Sequence, residues 1–257
     1  MRVLPDIPYG PEPHQALDLA LPVTPRAIVI YAHGGGFTKG SRKEATFAHL
    51  AAQLCPLGIA VVSASYRLGG RMADLARADR PDMRRMMAAG AASGLALNPR
   101  LYGPAFALAV FDLGRAVASL RDGAFAPDLA GLPVTLLGMS AGGIAALSLA
   151  HPPRVWAGRL ARPDAVLAVS AAMVQPWCLR AGGPPCVMLH GVVDRIIPPD
   201  DVRLAARMAR KRGADLRVIF TDTPGHVPQL VRLLHGTAPD GREGLSVLTD
   251  LVAQTLL

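Results

Sequence analysis

Aromatic residues, cysteine and charge are all scarce in this chain of 257 residues. Phe, Trp and Tyr make up 5% of it, too few for the interleaved aromatic and basic side chains of a single-strand nucleic-acid groove. Cys55, Cys178 and Cys186 are odd in number and lack CxxC spacing, so they predict neither a disulfide framework nor a zinc site. Charged residues are 18% and hydrophobic residues 51%, which excludes a disordered tail and a coiled coil.

Long apolar runs are missing as well. No window reaches the roughly 18 uninterrupted apolar residues of a membrane-spanning helix, and the first six residues contain no signal-peptide core. We therefore expect a cytoplasmic protein with no integral membrane segment. The net charge is +8, but the basic residues are mostly Arg and are scattered from Arg2 to Arg242, so we expect no nucleic-acid partner.

The remaining pattern is one of short β-branched runs that alternate with helical stretches. A single domain over residues 1–257 fits this length. Apolar strands alternating with helices predict the α/β class, with a mostly parallel central sheet and helices on both faces. Strands are expected at 17–21, 27–32, 59–65, 134–138, 165–169, 187–190 and 216–221, and helices at 41–54 (capped by Ser41), 104–120, 140–151, 200–211 and 245–256.

Residues 69–104 interrupt this alternation and predict a helical insertion after the second parallel strand run. Pro81 is expected to divide it into two short helices that pack over one edge of the sheet. Its four methionines allow two interpretations, an adaptable lid or cap above the site or ordinary core packing. These methionines are Met72, Met83, Met86 and Met87.

A G-x-S-x-G sequence at 138–142 lies between a predicted strand and a predicted helix. In this placement a sharp turn exposes the Ser140 hydroxyl at the end of the sheet, and the helix N-terminus beside it favours negative charge. Ser140 is therefore the candidate nucleophile. The motif alone is common enough by chance that its surroundings must decide.

Three further segments follow predicted strands, where a parallel sheet places its ligand sites. They are His33-Gly34-Gly35-Gly36, whose glycines leave backbone N–H groups open to an oxyanion, the loop with Asp194, and the loop with His226. The order Ser140, Asp194, His226 is that of serine hydrolases built on such a sheet.

Other polar residues compete for these roles. Asp222 is the main rival acid because it is close to His226 in the chain, and loop position favours Asp194. His190 is interpreted as a packed histidine, and His151 as a cation that complements a helix dipole. Asp200 and Asp201 are expected to be a helix N-cap and its first turn. His14, His49 and His235 have no candidate partners nearby in sequence.

Together these segments carry a family resemblance. The chain resembles the α/β-hydrolase superfamily, and within it the HGGG-containing esterases of the hormone-sensitive-lipase type and bacterial feruloyl and acetyl-xylan esterases. The segments that carry the resemblance are HGGGF (33–37), SASYRL (63–68), GMSAGG (138–143), GVVDRIIP (191–198) and PGH (224–226). The insertion at 69–104 departs from the family pattern.

The resemblance implies a set of roles. Ser140 would be the nucleophile, His226 the general base and then acid, and Asp194 the residue that orients the imidazole. The oxyanion donors would be the N–H groups of Gly35, Gly36 and Ala141, with His33 and Gly34 in support. No metal or organic cofactor is implied, and the partner would be a small-molecule ester.

The sequence thus predicts a serine carboxylic-ester hydrolase that acts through an acyl-enzyme on small or medium acyl esters. Kynurenine formamidases and small acylpeptide-type hydrolases share the sheet and the glycine-rich strand end, so an aryl-formamidase or amide hydrolase is the alternative. A third hypothesis is a non-catalytic binding protein with the same fold.

Overall fold

Strand β3 (Ala27–Ala32) shows how the sheet divides the molecule. Its side chains alternate, so that Ile28 and Ile30 join the apolar core on one face and Val29 and Tyr31 the core on the other. All six residues are buried. A strand that is apolar on both sides is covered on both sides, which makes the architecture three-layered.

The computed structural model describes residues 1–238 and 240–257, and these form one eight-stranded sheet. The strands are β1 (Arg2–Pro8), β2 (Ala16–Leu21), β3, β4 (Ile59–Ala64), β5 (Val134–Met139), β6 (Ala165–Val169), β7 (Cys186–Gly191) and β8 (Leu216–Thr221). Their order is β1-β2-β4-β3-β5-β6-β7-β8. β2 is antiparallel to both of its neighbours, and the pairs from β4 through β8 are parallel.

The helices flank this sheet. They are α1 (Ala45–Leu54), α2 (Arg80–Ala92), α3 (Pro104–Arg121), α4 (Ala141–Ala150), α5 (Arg154–Ala157), α6 (Pro199–Arg212), α7 (Pro228–His235) and α8 (Ser246–Gln254). The core that contains Ile28 takes apolar residues from α2, α3, α4 and α6. The core that contains Val29 takes them from α1, α7 and α8.

Several local predictions need correction. β1, α5 and α7 were not expected. Helix α1 begins at Ala45 and not at Ser41, whose hydroxyl instead accepts a hydrogen bond from the Lys43 N–H. Asp200 is not an N-cap, because α6 begins one residue earlier at Pro199 and both acidic residues lie in its first turn.

The insertion differs from its prediction in two ways. Pro81 does not separate two helices; it lies in the first turn of α2, where its missing N–H costs no hydrogen bond. Short 3-10 turns precede and follow this helix, at Met72–Asp74, Arg77–Asp79 and Pro99–Tyr102. The segment packs into the core on one face of the sheet, with Met83 and Met86 buried there.

Candidate active site

Ser140 lies in a sharp turn between β5 and α4, for which it is the N-cap residue. Its backbone has φ 52° and ψ −117°, a conformation that costs energy for a residue with a side chain. Its N–H donates to the Val169 carbonyl of the neighbouring strand at 2.8 Å, which holds the turn in place. The serine that the sequence singled out is thus held in a strained backbone conformation.

Two glycines permit this turn because neighbouring backbone atoms lie where a side chain would otherwise be. A Cβ on Gly138 would lie 2.5 Å from the Gly143 backbone, and a Cβ on Gly142 would lie 2.2 Å from the Ala32 carbonyl oxygen. Real Cβ atoms do not approach backbone so closely. The G-x-S-x-G spacing therefore lets α4 start directly against β3 and β5.

His226 and Asp194 form the second part of the site. His226 follows β8, and its Nδ1 lies 2.7 Å from Oδ2 of Asp194, which follows β7. The other carboxylate oxygen, Oδ1, accepts the N–H groups of Ile196 and Ile197 at 2.8 and 3.0 Å. One oxygen of the carboxylate is thus fixed by backbone, and the other is directed at the imidazole.

The electrostatics of Asp194 follow from these contacts. Burial by itself would raise the pKa of Asp194, but the hydrogen bonds from His226, Ile197 and Ile196 outweigh it and the pKa is lowered. The carboxylate is therefore ionised at neutral pH. A buried anion beside Nδ1 orients the ring and stabilises its protonated form.

Ser140 and His226 open into one cavity of about 390 Å³. Asp194 does not line it; its side chain lies behind His226 and is fully buried. The serine and the imidazole therefore share a space large enough for a small ligand. The lining residues are Tyr31, Gly34, Gly35, Lys39, Gly40, Glu44, Met139, Ser140, His226, Val227 and Leu230.

The glycine-rich loop borders the same cavity. A Cβ on Gly34 would lie 3.5 Å from the Ser140 Cβ, so the loop and the serine are in direct contact. Gly35 and Gly36 have φ of 105° and 62°, in the left-handed region that favours glycine. Gly34 and Gly35 line the cavity, whereas Gly36 is absent from its described lining. Ala141, in the first turn of α4, has no helical acceptor for its N–H.

His33 lies behind this loop and is fully buried. Its Nδ1 is 2.7 Å from the Gly34 carbonyl oxygen, and its ring stacks on Tyr66 with centroids 4.2 Å apart. The Tyr66 hydroxyl donates to the His33 carbonyl at 2.7 Å. Burial lowers the pKa of His33, so the ring is neutral at pH 7 and supports the loop through packing and one hydrogen bond.

The competing residues lie elsewhere. Asp222 is 96% exposed at its side chain and pairs with Arg232 at 3.4 Å. His190 is buried, with Nε2 3.1 Å from the Ile197 carbonyl oxygen and 3.7 Å from Asp194. The interpretation of His151 as a cation is wrong: it is fully buried, and burial, with Arg180 and Arg162 nearby, lowers its pKa to about 4.

Some residues of the site were missed. Ser170 directly follows β6 and donates its hydroxyl to the His226 carbonyl at 2.7 Å. Its position after a strand was a signal that the sequence already contained. Tyr31, Lys39, Glu44, Val227 and Leu230 line the cavity, and nothing in their spacing indicated it.

Residues 1–238 and 240–257 show neither a membrane-spanning helix nor a metal-binding cluster. No helix among them is long and apolar enough to cross a membrane. Within the same residues no group of three or more His, Cys, Asp or Glu side chains is arranged to hold a metal ion. The insertion at 69–104, all of it described, contributes no residue to the lining of the Ser140 cavity.

Comparison with solved structures identifies the architecture. A structure described as a truncated form of a carbohydrate esterase from gut microbiota has a TM-score of 0.71 and 14% identity, over 100% of this chain and 96% of that one. The propionate-bound esterase of Thermogutta terrifontis, a member of the Planctomycetes, has a TM-score of 0.62 and 19% identity, over 93% and 89%. The chain has the α/β-hydrolase fold.

A bifunctional GH43-CE protein of Bacteroides eggerthii also carries this α/β-hydrolase fold. Its TM-score is 0.69 at 16% identity, and the match covers 98% of this chain and 38% of that one. No protein-family model matches the chain, and no curated protein matches it by sequence. Because these solved structures share less than 25% sequence identity with the chain, their similarity shows the fold alone.

Proposed function

We propose that this chain is a serine carboxylic-ester hydrolase that forms an acyl-enzyme. One observation carries the proposal: Ser140 and His226 open into the same cavity, and Asp194 lies 2.7 Å behind His226. A hydroxyl, an imidazole and a buried carboxylate in this order are the groups that serine acyl transfer needs. The solved esterases with the same fold support the choice of ester bonds.

The reaction would run in two halves. His226 takes the Ser140 proton as Oγ attacks the ester carbonyl carbon, and the tetrahedral intermediate collapses when His226 protonates the departing alcohol. Water, deprotonated by the same imidazole, then attacks the acyl-enzyme and regenerates Ser140. Asp194 stabilises the imidazolium in both halves.

The oxyanion of each tetrahedral intermediate needs N–H donors beside Ser140. We assign the N–H groups of Gly35, which lines the cavity, and of Ala141, which starts α4. Gly36 stays a prediction as a third donor. The participation of His33 and the HGGG loop would place the chain among the HGGG-containing esterases of the hormone-sensitive-lipase type.

The cavity favours small or medium acyl esters. Its volume is about 390 Å³, and Met139, Val227 and Leu230 give it apolar walls. Pockets of this order hold small ligands in proteins. The Thermogutta terrifontis esterase, which has a similar fold, binds propionate and butyrate in its solved structures, and this supports a short acyl group.

The proposal is tested by hydrolysis of p-nitrophenyl acetate, butyrate, octanoate and palmitate. We expect turnover of the short chains, and a loss of at least about a thousandfold in Ser140→Ala, because triad members act as a unit. Ser148→Ala is the matched control, since Ser148 is a buried serine of the same helix that does not line the cavity. Equal turnover in wild type and Ser140→Ala would refute the proposal.

Two further measurements separate the alternatives. N-formylkynurenine compared with phenyl acetate distinguishes an aryl-formamidase from an esterase: faster formamide turnover would overturn the ester assignment. Labelling by paraoxon, read by mass spectrometry of the Ser140 peptide, reports a reactive serine independently of substrate choice. An esterase related to this fold is phosphorylated by that compound. Absence of labelling would favour a non-catalytic binding protein.

A further inference from the structure

A second cavity, of about 450 Å³, lies against the inserted helix α2 and shares no lining residue with the Ser140 cavity. The insertion contributes one wall through Arg85 and Met86. The opposite walls come from the turn after α4 with the start of α5 (152–155), the segment before β7 (177–180) and the last residue of α6. Residues 69–104 therefore form one side of this cavity.

Its lining is strongly basic. Four arginines and one aspartate face it, and the aspartate, Asp82, is paired with Arg85. Arg154, Arg180 and Arg212 have no carboxylate within ion-pair distance among residues 1–238 and 240–257. Three cations thus converge on one concavity without a protein anion to balance them.

Two of these guanidinium groups, those of Arg154 and Arg180, are close enough for the charge of one to act on the other. Burial, and then the neighbouring charges of Arg162 and Arg154, lower the pKa of Arg180. Arg180 is nevertheless fixed, because its Nη1 donates to the Pro152 carbonyl at 3.0 Å. A cluster of like charges held in place costs folding free energy, and a bound anion would offset that cost.

Apolar groups lie beside the cations. Trp177 and Val155 line the same cavity, and Val155 is 51% exposed. The cavity volume is in the range that holds small organic ligands. The arginines match a phosphate group, since guanidinium binds its oxygens in a bidentate manner, and Trp177 adds apolar surface for an organic substituent.

We propose that this cavity binds a small organic phosphate monoester, with the phosphate between Arg154, Arg180 and Arg212 and the organic group against Trp177. The insertion would then serve as the wall of a second ligand site. The site is independent of the hydrolytic reaction and of its assignment.

Titration calorimetry with phenyl phosphate tests the proposal, with orthophosphate and uncharged phenol as comparison probes at one pH and ionic strength. We expect phenyl phosphate to bind more tightly than orthophosphate, and phenol not to bind. The double variant Arg154→Gln/Arg212→Gln should weaken phenyl phosphate binding by at least about tenfold, the effect of losing one charge-assisted hydrogen bond. Arg210→Gln, an exposed arginine of the same helix outside the lining, should leave it unchanged.

Tryptophan fluorescence gives a second readout. Trp156 is fully buried, so quenching by phenyl phosphate should arise from Trp177 and disappear in Trp177→Phe. The titrations are repeated in Ser140→Ala, where binding should persist whether or not the chain hydrolyses esters.

Three results would overturn the proposal. They are no binding of either phosphate probe at millimolar concentration, equal binding by wild type and the double arginine variant, and binding of short duplex DNA or phosphatidylserine vesicles in place of the small phosphates. An unchanged melting temperature in the double variant would confirm that a loss of binding is not a loss of folding.

Discussion

The hydroxyl of Ser170 donates a hydrogen bond to the carbonyl oxygen of His226 at 2.7 Å. Ser170 follows β6, has φ 48°, and is itself held by its N–H to the Leu189 carbonyl at 2.9 Å. The loop that carries the imidazole is therefore attached to the strand next to Ser140. This hydrogen bond holds the backbone of His226, while the hydrogen bond with Asp194 holds its imidazole ring.

Ser170→Ala should lower kcat for p-nitrophenyl butyrate about fivefold with KM unchanged, because one net hydrogen bond of about 1 kcal/mol is lost from the loop. Ser148→Ala, a buried serine without a hydrogen-bond partner among the described residues, should leave kcat unchanged. Steady-state kinetics of both variants provide the check. A kcat for Ser170→Ala equal to that of wild type would contradict the positioning role.

The two candidate acids can be separated by matched amide substitutions. Asp194→Asn should reduce kcat by about three to four orders of magnitude, because the imidazole loses the anion that orients it. Asp222→Asn should change kcat less than twofold, because that side chain is 96% exposed and its pair with Arg232, at 3.4 Å, lies at the surface. The reverse ranking of the two rates would assign the acid to Asp222.

Gly142→Ala tests the close contact between α4 and β3. The new Cβ would lie 2.2 Å from the Ala32 carbonyl oxygen and 2.6 Å from that of His33, so we expect a loss of about 3 kcal/mol or failure to fold. Gly158→Ala is the control: φ there is −77° and nothing lies within 4 Å. Urea unfolding measures both variants. Similar unfolding free energies for the two would show that the contact is looser than described.

Asp201 holds the insertion to the rest of the fold. Its carboxylate is 1% exposed and accepts the N–H groups of Ala96 and Leu97 at 2.8 and 2.9 Å. Asp201→Ala should therefore lower the unfolding free energy by about 2 kcal/mol and expose 69–104 to limited proteolysis. Asp200→Ala, whose side chain is 84% exposed, should cost less than about 0.5 kcal/mol. Equal protease resistance in the two variants would remove Asp201 from this role.

His151 should make stability fall in mild acid. Burial is the main cause that lowers its pKa from 6.5 to about 4, so the unfolded chain binds a proton over that interval and the folded chain does not. The free energy of unfolding therefore contains a part that depends on neutral His151. This part is complete above about pH 6.5 and falls by on the order of 3 kcal/mol as the pH is lowered to 4.

The measurement is urea unfolding of wild type and His151→Leu between pH 7 and 4. The variant should lose less stability on acidification than wild type, and the exposed His14→Leu should behave as wild type. If the unfolding free energies of wild type and His151→Leu fall equally between pH 7 and 4, protonation of His151 does not destabilise the folded chain.

The sequence by itself determined most of the strand and helix pattern and the candidate chemistry, although β1, α5 and α7 were not expected. Apolar runs such as 27–32 and 165–169 form strands because only a sheet covered on both faces can bury them, and the structure gives them those bounds. Ser140, Asp194 and His226 each follow a strand, and the topology brings the carboxyl ends of parallel strands to one edge. The position of the site at that edge could therefore be predicted from the sequence, because each of the three residues follows a predicted strand.

Only the tertiary structure decided which groups face one another. Loop position in the sequence favoured Asp194 over Asp222, and the structure places Asp194 against His226 and Asp222 in solvent. His151 ends a helix, and its burial under neighbouring segments makes it neutral. Tyr31, Lys39 and Glu44 line the cavity, and Arg154, Arg180 and Arg212 converge, through contacts between distant segments. The burial of a side chain and its contacts with distant segments depend on how the elements pack in three dimensions. The order of residues along the chain does not indicate this packing.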